Sequence, residues 1–330
     1  MVIRLVSQVY QRQWRQPLHT AHGVWQWRQG MLVKLEDDQG RVGYGEIAPL
    51  PSFGSETLAM AQGFCARLGP TLGVDDIWAI PDRLPATQFA LASALEQLQG
   101  IAAAPVAEPA ASCLSLLLPP GGAALEAWPS LWQEGIRTFK VKLGIVPGVA
   151  EMALVQALVA ALPASAHLRL DANGSLSLAE ASRWLTLCDR LRTTPDLCTI
   201  DYLEQPLAPS AFPLIRSLAQ SFHTPVALDE SVATYHQLED LYRQGWPGLF
   251  IVKPAIAGFP GRLRQIWAKH RLTLVFSSVF ETSIGRRAVL ALAAQYQQHS
   301  GNHLALGLGA RHSFEDDWDD LSPDQLWERL

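Results

Sequence analysis

From about residue 110 onwards, eight short apolar segments recur along the chain, and helix-like stretches separate most of them. The segments are SCLSLLL, TFKVKLG, HLRLDAN, TIDYLEQP, PVALDES, LFIVKPA, LTLVFSS and HLALGLG. Continuous apolar strands that alternate with helices are typical of a parallel sheet covered on both faces. Eight such units of roughly 30 residues suit a closed (β/α) barrel of about 250 residues. The sequence therefore predicts an α/β barrel in this part of the chain.

The first hundred residues follow a different pattern. The segments MLVKLE (31–36) and RVGYGE (41–46) flank the turn-forming cluster DDQG, which predicts an antiparallel hairpin among otherwise short strands. Helical patterns follow from about Ser55 to Leu68 and from about Thr87 to Leu98. This combination indicates an α+β unit. The segment 310–330 is acidic but contains tryptophans, so we expect it to pack back onto the folded chain.

Composition excludes several classes of protein. The chain has 330 residues and a formal net charge of −5, without the clustered Lys and Arg of a nucleic-acid-binding surface. The most apolar tract, residues 101–120, is interrupted by prolines and Glu108, so we do not expect membrane insertion. The first residues lack the apolar core of a signal peptide, and the four cysteines form no CxxC pair. We expect a cytoplasmic protein with reduced thiols; no surface stripe indicates an oligomeric state.

Five of the predicted barrel strands finish on a charged residue. These residues are Lys142, Asp171, Glu204, Asp229 and Lys253. Their spacings (171−142=29, 204−171=33, 229−204=25 and 253−229=24) each approximate one βα unit. Because the active sites of such barrels lie at the carboxyl ends of the strands, we expect these side chains to meet there.

The three acids in this set indicate a metal site. Convergent carboxylates repel one another and take up protons unless a cation joins them. An all-oxygen ligand set suits Mg²⁺, with Mn²⁺ as a possible substitute, and no His or Cys accompanies the acids to favour zinc. We therefore predict Asp171, Glu204 and Asp229 as metal ligands. A network of ion pairs between acids and lysines, without metal, is the alternative.

The lysines indicate the chemistry. In RTFKVKLG (137–144), Lys140 and Lys142 point to the same face of a strand. A lysine beside other cations has a lowered pKa and can act as a general base, so we interpret Lys140 as supporting Lys142. Lys253 lies on the opposite side of the predicted barrel. A base beside a divalent ion suits removal of a proton next to a carboxylate, giving a metal-stabilised enediolate.

The motifs KVK, LDAN, LEQP, LDES and VKP, in this order, resemble the enolase superfamily in its muconate-lactonizing-enzyme subgroup. Within it, the stretches PLHTAHGVWQWRQG, GYGEIAPLPSFGSET and SSVFETSIG are most similar to the o-succinylbenzoate synthase family. The resemblance implies a modified TIM barrel, (β/α)₇β, at 109–309. It also implies an N-terminal α+β capping domain at 1–108, completed by a C-terminal tail at 310–330.

The resemblance further implies a reaction. It is the Mg-dependent syn-dehydration of 2-succinyl-6-hydroxy-2,4-cyclohexadiene-1-carboxylate, a small dicarboxylate, to 2-succinylbenzoate, in menaquinone or phylloquinone biosynthesis. Lys142 would remove the proton and help the hydroxide to leave, while Lys253 would stabilise the enolate. The same lysines leave N-acylamino-acid racemase, muconate-type cycloisomerase and a non-catalytic acid-binding barrel as alternatives. The segment LGLGARHSF has no acid before Arg311, which argues against the dipeptide epimerases of the subgroup.

Further candidates surround the central five residues. As catalytic support we name Asn173, which shares a face with Asp171, Arg169, which points inward by strand parity, and Glu230, which faces away from the metal. As substrate-binding residues we name a second set at later strand ends and in a probable loop over the mouth: Ser277, Ser278, Gly307, Thr20, His22 and Gly23. For Asn173 and His22 an ordinary turn or loop role fits equally well, and for Arg169 simple neutralisation of acids.

Overall fold

The computed structural model describes residues 2–20, 23–101, 107–145 and 148–330. In the N-terminal part, the strands and helices are β1 (Ile3–Thr20), β2 (Gly23–Asp37), β3 (Val42–Ile47), α1 (Leu58–Leu68), β4 (Thr71–Leu72), α2 (Val74–Trp78) and α3 (Pro85–Leu98). The central part contains β5 (Ser115–Leu117), α4 (Ala123–Gln133), β6 (Thr138–Lys142), α5 (Gly148–Ala161), β7 (His167–Asp171), α6 (Leu178–Arg192), β8 (Thr199–Glu204) and α7 (Phe212–Ser221). The remainder contains β9 (Val226–Leu228), α8 (Tyr235–Arg243), β10 (Leu249–Val252), α9 (Pro254–Ala257), α10 (Pro260–Lys269), β11 (Leu274–Phe276), α11 (Ser283–Ser300) and α12 (Pro323–Arg329).

The N-terminal strands form an antiparallel sheet in the order β3-β2-β1-β4. The expected hairpin is present, with Met31 opposite Ile47 and Glu36 opposite Val42. The Asp37 carboxylate accepts hydrogen bonds from the Gln39 and Arg41 backbone N–H groups in the turn. The expectation of short strands is wrong for β1 and β2, which run for 18 and 15 residues. Their pairing continues past a register shift between Gln13 and Leu18, the kind of irregularity that lets a strand bend without ending.

Helix α3 packs closely on this sheet because β3 carries glycines where the two meet. A Cβ atom placed on Gly45 would lie 2.1 Å from the Ala90 carbonyl oxygen, and one on Gly43 would lie 1.9 Å from the Ala94 carbonyl oxygen. Any larger residue would therefore push the helix away. Both faces of α3 are buried, since it lies between the sheet and the barrel helix α9.

The second sheet contains seven parallel strands in the order β5 to β11, with helices between them. The eighth apolar segment contributes only two residues, through parallel bridges that join Leu306 to Leu114 and Gly307 to Ser277. Because these residues contact the first and the last strand of the sheet, the ring closes through them. The predicted (β/α)₇β architecture is confirmed, with an eighth strand reduced to two isolated bridges.

The barrel interior is built in layers, as strand alternation requires. A lower apolar cluster contains Tyr202, Ala227, Leu249, Ile251 and Val275. Two residues further along their strands, at the carboxyl ends, polar and charged side chains replace the apolar ones. This layer forms the candidate site.

Residues near both ends of the chain meet on the N-terminal sheet. Arg12, which is 1% exposed, donates to the carboxylates of Asp316 and Asp319 and stacks on the Phe314 ring at 3.9 Å. Trp14 pairs with Phe314 through a backbone bridge. Residues Phe314, Asp316 and Asp319 are therefore packed against β1. No helix among the described residues is both long and apolar enough to cross a bilayer.

Candidate active site

The five strand-end charges lie at one end of the barrel. Strand register places Lys142 beside Asp171 and Asp171 beside Glu204, so three of them share one level. Asp229 and Lys253 follow directly after β9 and β10. The five charged side chains thus form a contiguous arc across the ends of strands β6 to β10.

The three acids are buried and paired with lysines. Asp171, Glu204 and Asp229 are 2%, 1% and 4% exposed. The Lys140 ammonium lies 2.8 Å from both Asp171 Oδ2 and Glu204 Oε1. Lys253 donates to Asp229 Oδ1. Two cations thus hold three carboxylates together in a nearly dry layer, where electrostatic interactions are strong.

The lysines do not fully compensate the negative charge. Burial and the neighbouring Asp171 charge raise the pKa of Glu204 above its ordinary value. Burial would also raise the pKa of Asp171, but the Lys140 ammonium outweighs this effect and lowers it. Burial lowers the pKa of Lys140, yet the charges of Asp171 and Glu204 raise it well above its usual range. Lys140 is therefore a firmly charged partner of the acids.

The acid cluster fits a hard divalent ion chemically. Its donors are all carboxylate oxygens, which Mg²⁺ and Mn²⁺ prefer. Burial and, after it, the charge of Asp171 raise the pKa of Glu204, and a cation bound beside this carboxylate would offset both effects. As the side chains stand, no three His, Cys, Asp or Glu residues within the described ranges are spaced to hold an ion. The ammonium groups of Lys140 and Lys253 occupy carboxylate oxygens that a metal would use. Ligation would require these contacts to rearrange.

The contacts of Lys140 differ from our interpretation of RTFKVKLG. We expected Lys140 to act on Lys142; its described ion pairs are with the two acids instead. Lys142 is half-buried beside Asp171, and its charge contributes to lowering the pKa of that acid. Lys142 and Lys253 lie on β6 and after β10, on either side of the acids. Among the described residues, Lys142 is therefore the strand-end lysine without an ion pair within 4 Å.

Asn173 and Glu230 connect two strand ends beside the acids. The Asn173 backbone N–H donates to Asp171 Oδ1 at 3.0 Å, and its side-chain amide donates to Glu230 Oε1 at 2.9 Å. Asn173 adopts a positive φ of 44°, a conformation that asparagine tolerates better than most residues. Burial and the charges of Asp229 and Asp171 raise the pKa of Glu230 to about 7. Both residues thus lie where they could support the ligands.

Arg169 points into the barrel but lies one layer below the acids. Its guanidinium donates to Asp201 Oδ2 at 2.9 Å and to the Ala305 carbonyl at 2.8 Å, and it lies over the Tyr202 ring. It is 1% exposed. Its described contacts neutralise Asp201 rather than the three strand-end acids.

The predicted substrate-binding residues that the structure describes lie in two places, at the seam of the barrel and at the facing ends of β1 and β2. Ser277 and Gly307 are neighbours at the seam of the barrel, where the Ser277 hydroxyl donates to the Gly307 carbonyl at 3.3 Å. The Ser278 hydroxyl is engaged by Glu281 and by the Phe280 N–H. Gly23 opens β2 with φ of 113°, and Thr20 ends β1. His22 lies outside the described residues.

Two residues with direct contacts to the site were missed from the sequence. Phe53 lies over the Lys253 ammonium, 3.9 Å from nitrogen to ring centroid. Gln205, which follows Glu204, is fully buried and bonded to the backbone N–H of Asp229. Strand parity predicts that Gln205 points away from the interior, and the positive φ of 36° that redirects its side chain is not marked by any residue type in the sequence.

Comparisons with known proteins identify the family of this chain. The family model described as "Enolase C-terminal domain-like" matches residues 123–318, and "MenC, N-terminal domain" matches residues 15–98. An o-succinylbenzoate synthase of Thermosynechococcus vestitus is 41% identical over 332 residues, covering 98% of each chain. The chain belongs to the o-succinylbenzoate synthase family of the enolase superfamily.

Solved structures support this membership. The crystal structure of o-succinylbenzoate synthase from Thermosynechococcus elongatus BP-1, complexed with Mg in the active site, matches with a TM-score of 0.88 and 39% identity. The match covers 99% of this chain and 100% of that one. The L-Ala-D/L-Glu epimerase of Bacillus subtilis matches with a TM-score of 0.76 at 18% identity, over 96% of this chain and 92% of its own. The epimerase therefore shares the fold of the family.

Proposed function

We propose that this member of the family is an o-succinylbenzoate synthase, a lyase that converts 2-succinyl-6-hydroxy-2,4-cyclohexadiene-1-carboxylate to 2-succinylbenzoate. The product is an intermediate of menaquinone or phylloquinone biosynthesis. The observation that carries the proposal is the arc of two lysines around three buried acids at successive strand ends, in a chain that matches such synthases over nearly its whole length.

Asp171, Glu204 and Asp229 would hold the divalent ion, Mg²⁺ or Mn²⁺. When bound, the ion would stabilise the negative charge that develops on the substrate carboxylate as the neighbouring carbon loses its proton. Lys140 already holds Asp171 and Glu204 together, so it contributes to the charge balance of the ligands. Asn173 supports Asp171 through its backbone N–H, and Glu230 in turn accepts from the Asn173 side-chain amide.

Lys142 is the proposed general base. It takes the proton from the carbon next to the ring carboxylate and then returns it to the departing hydroxide, which leaves as water. One lysine on one face of the substrate acts in both steps, as the neutral amine that takes the proton and then as the ammonium that returns it, which accounts for syn stereochemistry. Lys253, on the other side of the acids, stabilises the enolate by its charge.

Other residues are proposed to bind the dicarboxylate. Ser277 and Gly307 at the barrel seam, and Ser278 beside them, would contact the succinyl carboxylate. We propose that Thr20 and Gly23, and with them His22, bind the substrate over the mouth of the barrel. In this scheme residues 1–108 cap the barrel formed by 109–309, and 310–330 complete the cap.

A direct assay tests the proposal. Purified protein is incubated with the cyclohexadiene substrate and Mg²⁺, and the aromatic product is followed by its absorbance. We expect metal-dependent turnover that EDTA abolishes and that added Mg²⁺ or Mn²⁺ restores. Absence of turnover from protein that is folded and metal-loaded would refute the proposed activity.

A further inference from the structure

Gln205 joins the strand ends that carry the acids. It follows Glu204 directly, and its own backbone N–H donates to the Ala227 carbonyl on β9 at 2.8 Å. Its carbonyl accepts from the Gly174 N–H at 2.7 Å, in the loop after β7. One residue thus connects three neighbouring strand ends through its backbone alone.

The Gln205 side chain extends this connection. Its Oε1 accepts from the backbone N–H groups of Asp229 at 3.0 Å and Ser231 at 3.2 Å. Its Nε2 donates to the Leu207 carbonyl and to the Ser231 hydroxyl, both at 2.9 Å. Both lone pairs of the oxygen and both N–H groups of the amide are therefore used. Only a primary amide supplies two donors and two acceptor sites in this geometry.

The backbone of Gln205 is held in an unfavourable conformation. Its φ is 36°, in the left-handed region that residues with a Cβ seldom adopt, and the residue is completely buried. Glycine would adopt this φ without strain but could not make the four side-chain hydrogen bonds. The conformation turns the side chain from the outer face, where strand parity would place it, towards the backbone of Asp229.

From these contacts we propose that Gln205 is a positioning residue for the divalent ion: it fixes the Asp229 backbone relative to Glu204, so that two carboxylates from different strands bind one ion. The inference rests on the metal site of the proposed function. Hydrogen-bonded residues that orient metal ligands typically contribute about 10- to 100-fold to metal affinity. Gln205 does not touch substrate in this scheme, and its effect operates through the ligands.

Mn²⁺ binding to the metal-free full-length protein, measured by calorimetry and by the Mn²⁺ EPR signal, tests the proposal. Gln205→Met keeps the volume and removes the four hydrogen bonds, whereas Gln205→Gly removes them and also relieves the backbone. We expect both variants to bind Mn²⁺ at least tenfold more weakly than the wild type. If φ alone mattered, Gln205→Gly would bind as well as the wild type, and the proposal would be overturned.

The control is Gln88→Leu. Gln88 lies in α3, on a different element from the three acids, and is also fully buried. Its amide donates to the Ile80 carbonyl and to the Asp82 carboxylate. This variant should lose stability yet bind Mn²⁺ within about twofold of the wild type. A loss of affinity equal to that of the Gln205 variants would overturn the proposal, because the effect would then be nonspecific.

If Gln205→Met does not fold, Ser231→Ala is the deciding variant, because it removes one hydrogen-bond partner of Gln205 Nε2. Unchanged Mn²⁺ affinity in this variant overturns the proposal, and a clear loss supports it. A wild-type chain that binds no Mn²⁺ would refute the proposed metal site itself, which is a separate result.

Discussion

Phe53, in the segment between β3 and α1, places its ring over the ammonium group of Lys253, which follows barrel strand β10. The nitrogen lies 3.9 Å from the ring centroid, and Lys253 is 8% exposed. The aromatic face stabilises the cation while the ring shields it from water. A residue of the N-terminal unit therefore forms part of the environment of a proposed catalytic lysine.

We predict that Phe53→Leu lowers kcat/KM. A cation–π contact of this kind is worth about 0.5–2 kcal/mol, which corresponds to a reduction of roughly 2- to 30-fold. Steady-state kinetics with the cyclohexadiene substrate would measure it. The matched control is Phe64→Leu, which affects a ring of α1 whose nearest cation is the Arg67 guanidinium at 5.9 Å. Equal activity losses in both variants would remove any special role for the Phe53–Lys253 contact.

The two catalytic lysines should respond differently to substitution. Lys142→Ala removes the proposed base and should reduce kcat by about 10³-fold or more, in line with the contribution of general bases. Lys253→Arg keeps a positive charge and should retain measurable dehydration. Single-turnover rates on metal-loaded protein would separate the two. Complete loss in both variants would instead indicate a mechanism with two bases, as a racemase requires.

Glu46 of β3 should be a major contributor to stability. It is 1% exposed and accepts hydrogen bonds from Tyr10 Oη at 2.5 Å and from the Thr282 and Gly285 N–H groups at the start of α11. In Glu46→Gln, an NH₂ group replaces one carboxylate oxygen and faces these hydrogen-bond donors. We therefore expect a loss of about 2–4 kcal/mol in the free energy of unfolding. Urea denaturation would measure it.

Glu36→Ala serves as the control for Glu46. Glu36 lies on the neighbouring strand β2, and within the described part of the chain its side chain makes one exposed ion pair, with Arg4, 3.9 Å between nitrogen and oxygen. Exposed pairs of this kind contribute about 0–1 kcal/mol, so the variant should be nearly as stable as the wild type. A similar loss for both variants would contradict the interpretation of Glu46 as a link between the sheet and α11.

The His167–Asp201 pair should make stability depend on pH. The hydrogen bond to Asp201 raises the pKa of His167. Burial would raise the pKa of Asp201, but His167 and Arg169 lower it. The His167 contribution is complete below its ordinary pKa of 6.5 and disappears as pH rises through the raised value. The Asp201 contribution is complete above its ordinary pKa of 3.8 and disappears as pH falls through the lowered value.

The stabilising effect of this pair should therefore be greatest between about pH 4 and pH 6.5. The difference in unfolding free energy between wild type and His167→Gln should shrink as pH rises from 6 to 9. Denaturation curves across this range would show it. In an Asp201→Asn background the same difference should lose its pH dependence, and a dependence that persists there would disprove the assignment to this pair.

The close approach of β3 and α3 gives a further prediction. Gly45→Ala places a methyl group about where the Ala90 carbonyl oxygen stands, so the helix has to move, and we expect a loss of about 2 kcal/mol. Gly122→Ala is the control, because its φ is −60° and no atom lies within 4 Å of the added carbon. Thermal unfolding of the two variants provides the comparison. Equal stability would show that the contact between β3 and α3 is more adaptable than its distances indicate.

The sequence patterns predicted the barrel architecture and the positions of the central charged residues. They did not predict which of these residues contact one another. The spacing of Lys142, Asp171 and Glu204 follows from the βα repeat, which is a property of the chain alone. The pairing of Lys140 with two acids does not follow, because parity gives the face of a side chain and not its rotamer or partner. The role of Gln205 depends on a positive φ, which residue type does not reveal at a glutamine.

The sequence patterns also did not predict the lengths of the strands. β1 and β2 continue through a register shift that interrupts their alternation, so no single periodic run marks their full extent. The eighth barrel segment has the composition of a strand but pairs at only two residues. In both cases tertiary pairing, and not local propensity, determines where the strand ends.

The contact between Arg12 and Asp316 joins residues 304 positions apart. A ribosome making this chain therefore releases Arg12 long before its carboxylate partners exist, and the guanidinium stays hydrated until the last segment emerges. All seven barrel strands precede that segment. Strands β5 to β11 can consequently begin to pair during synthesis, whereas the edge of β1 at Arg12 and Trp14 can close only after residues 314–319 have been made, which makes this contact a late step of folding.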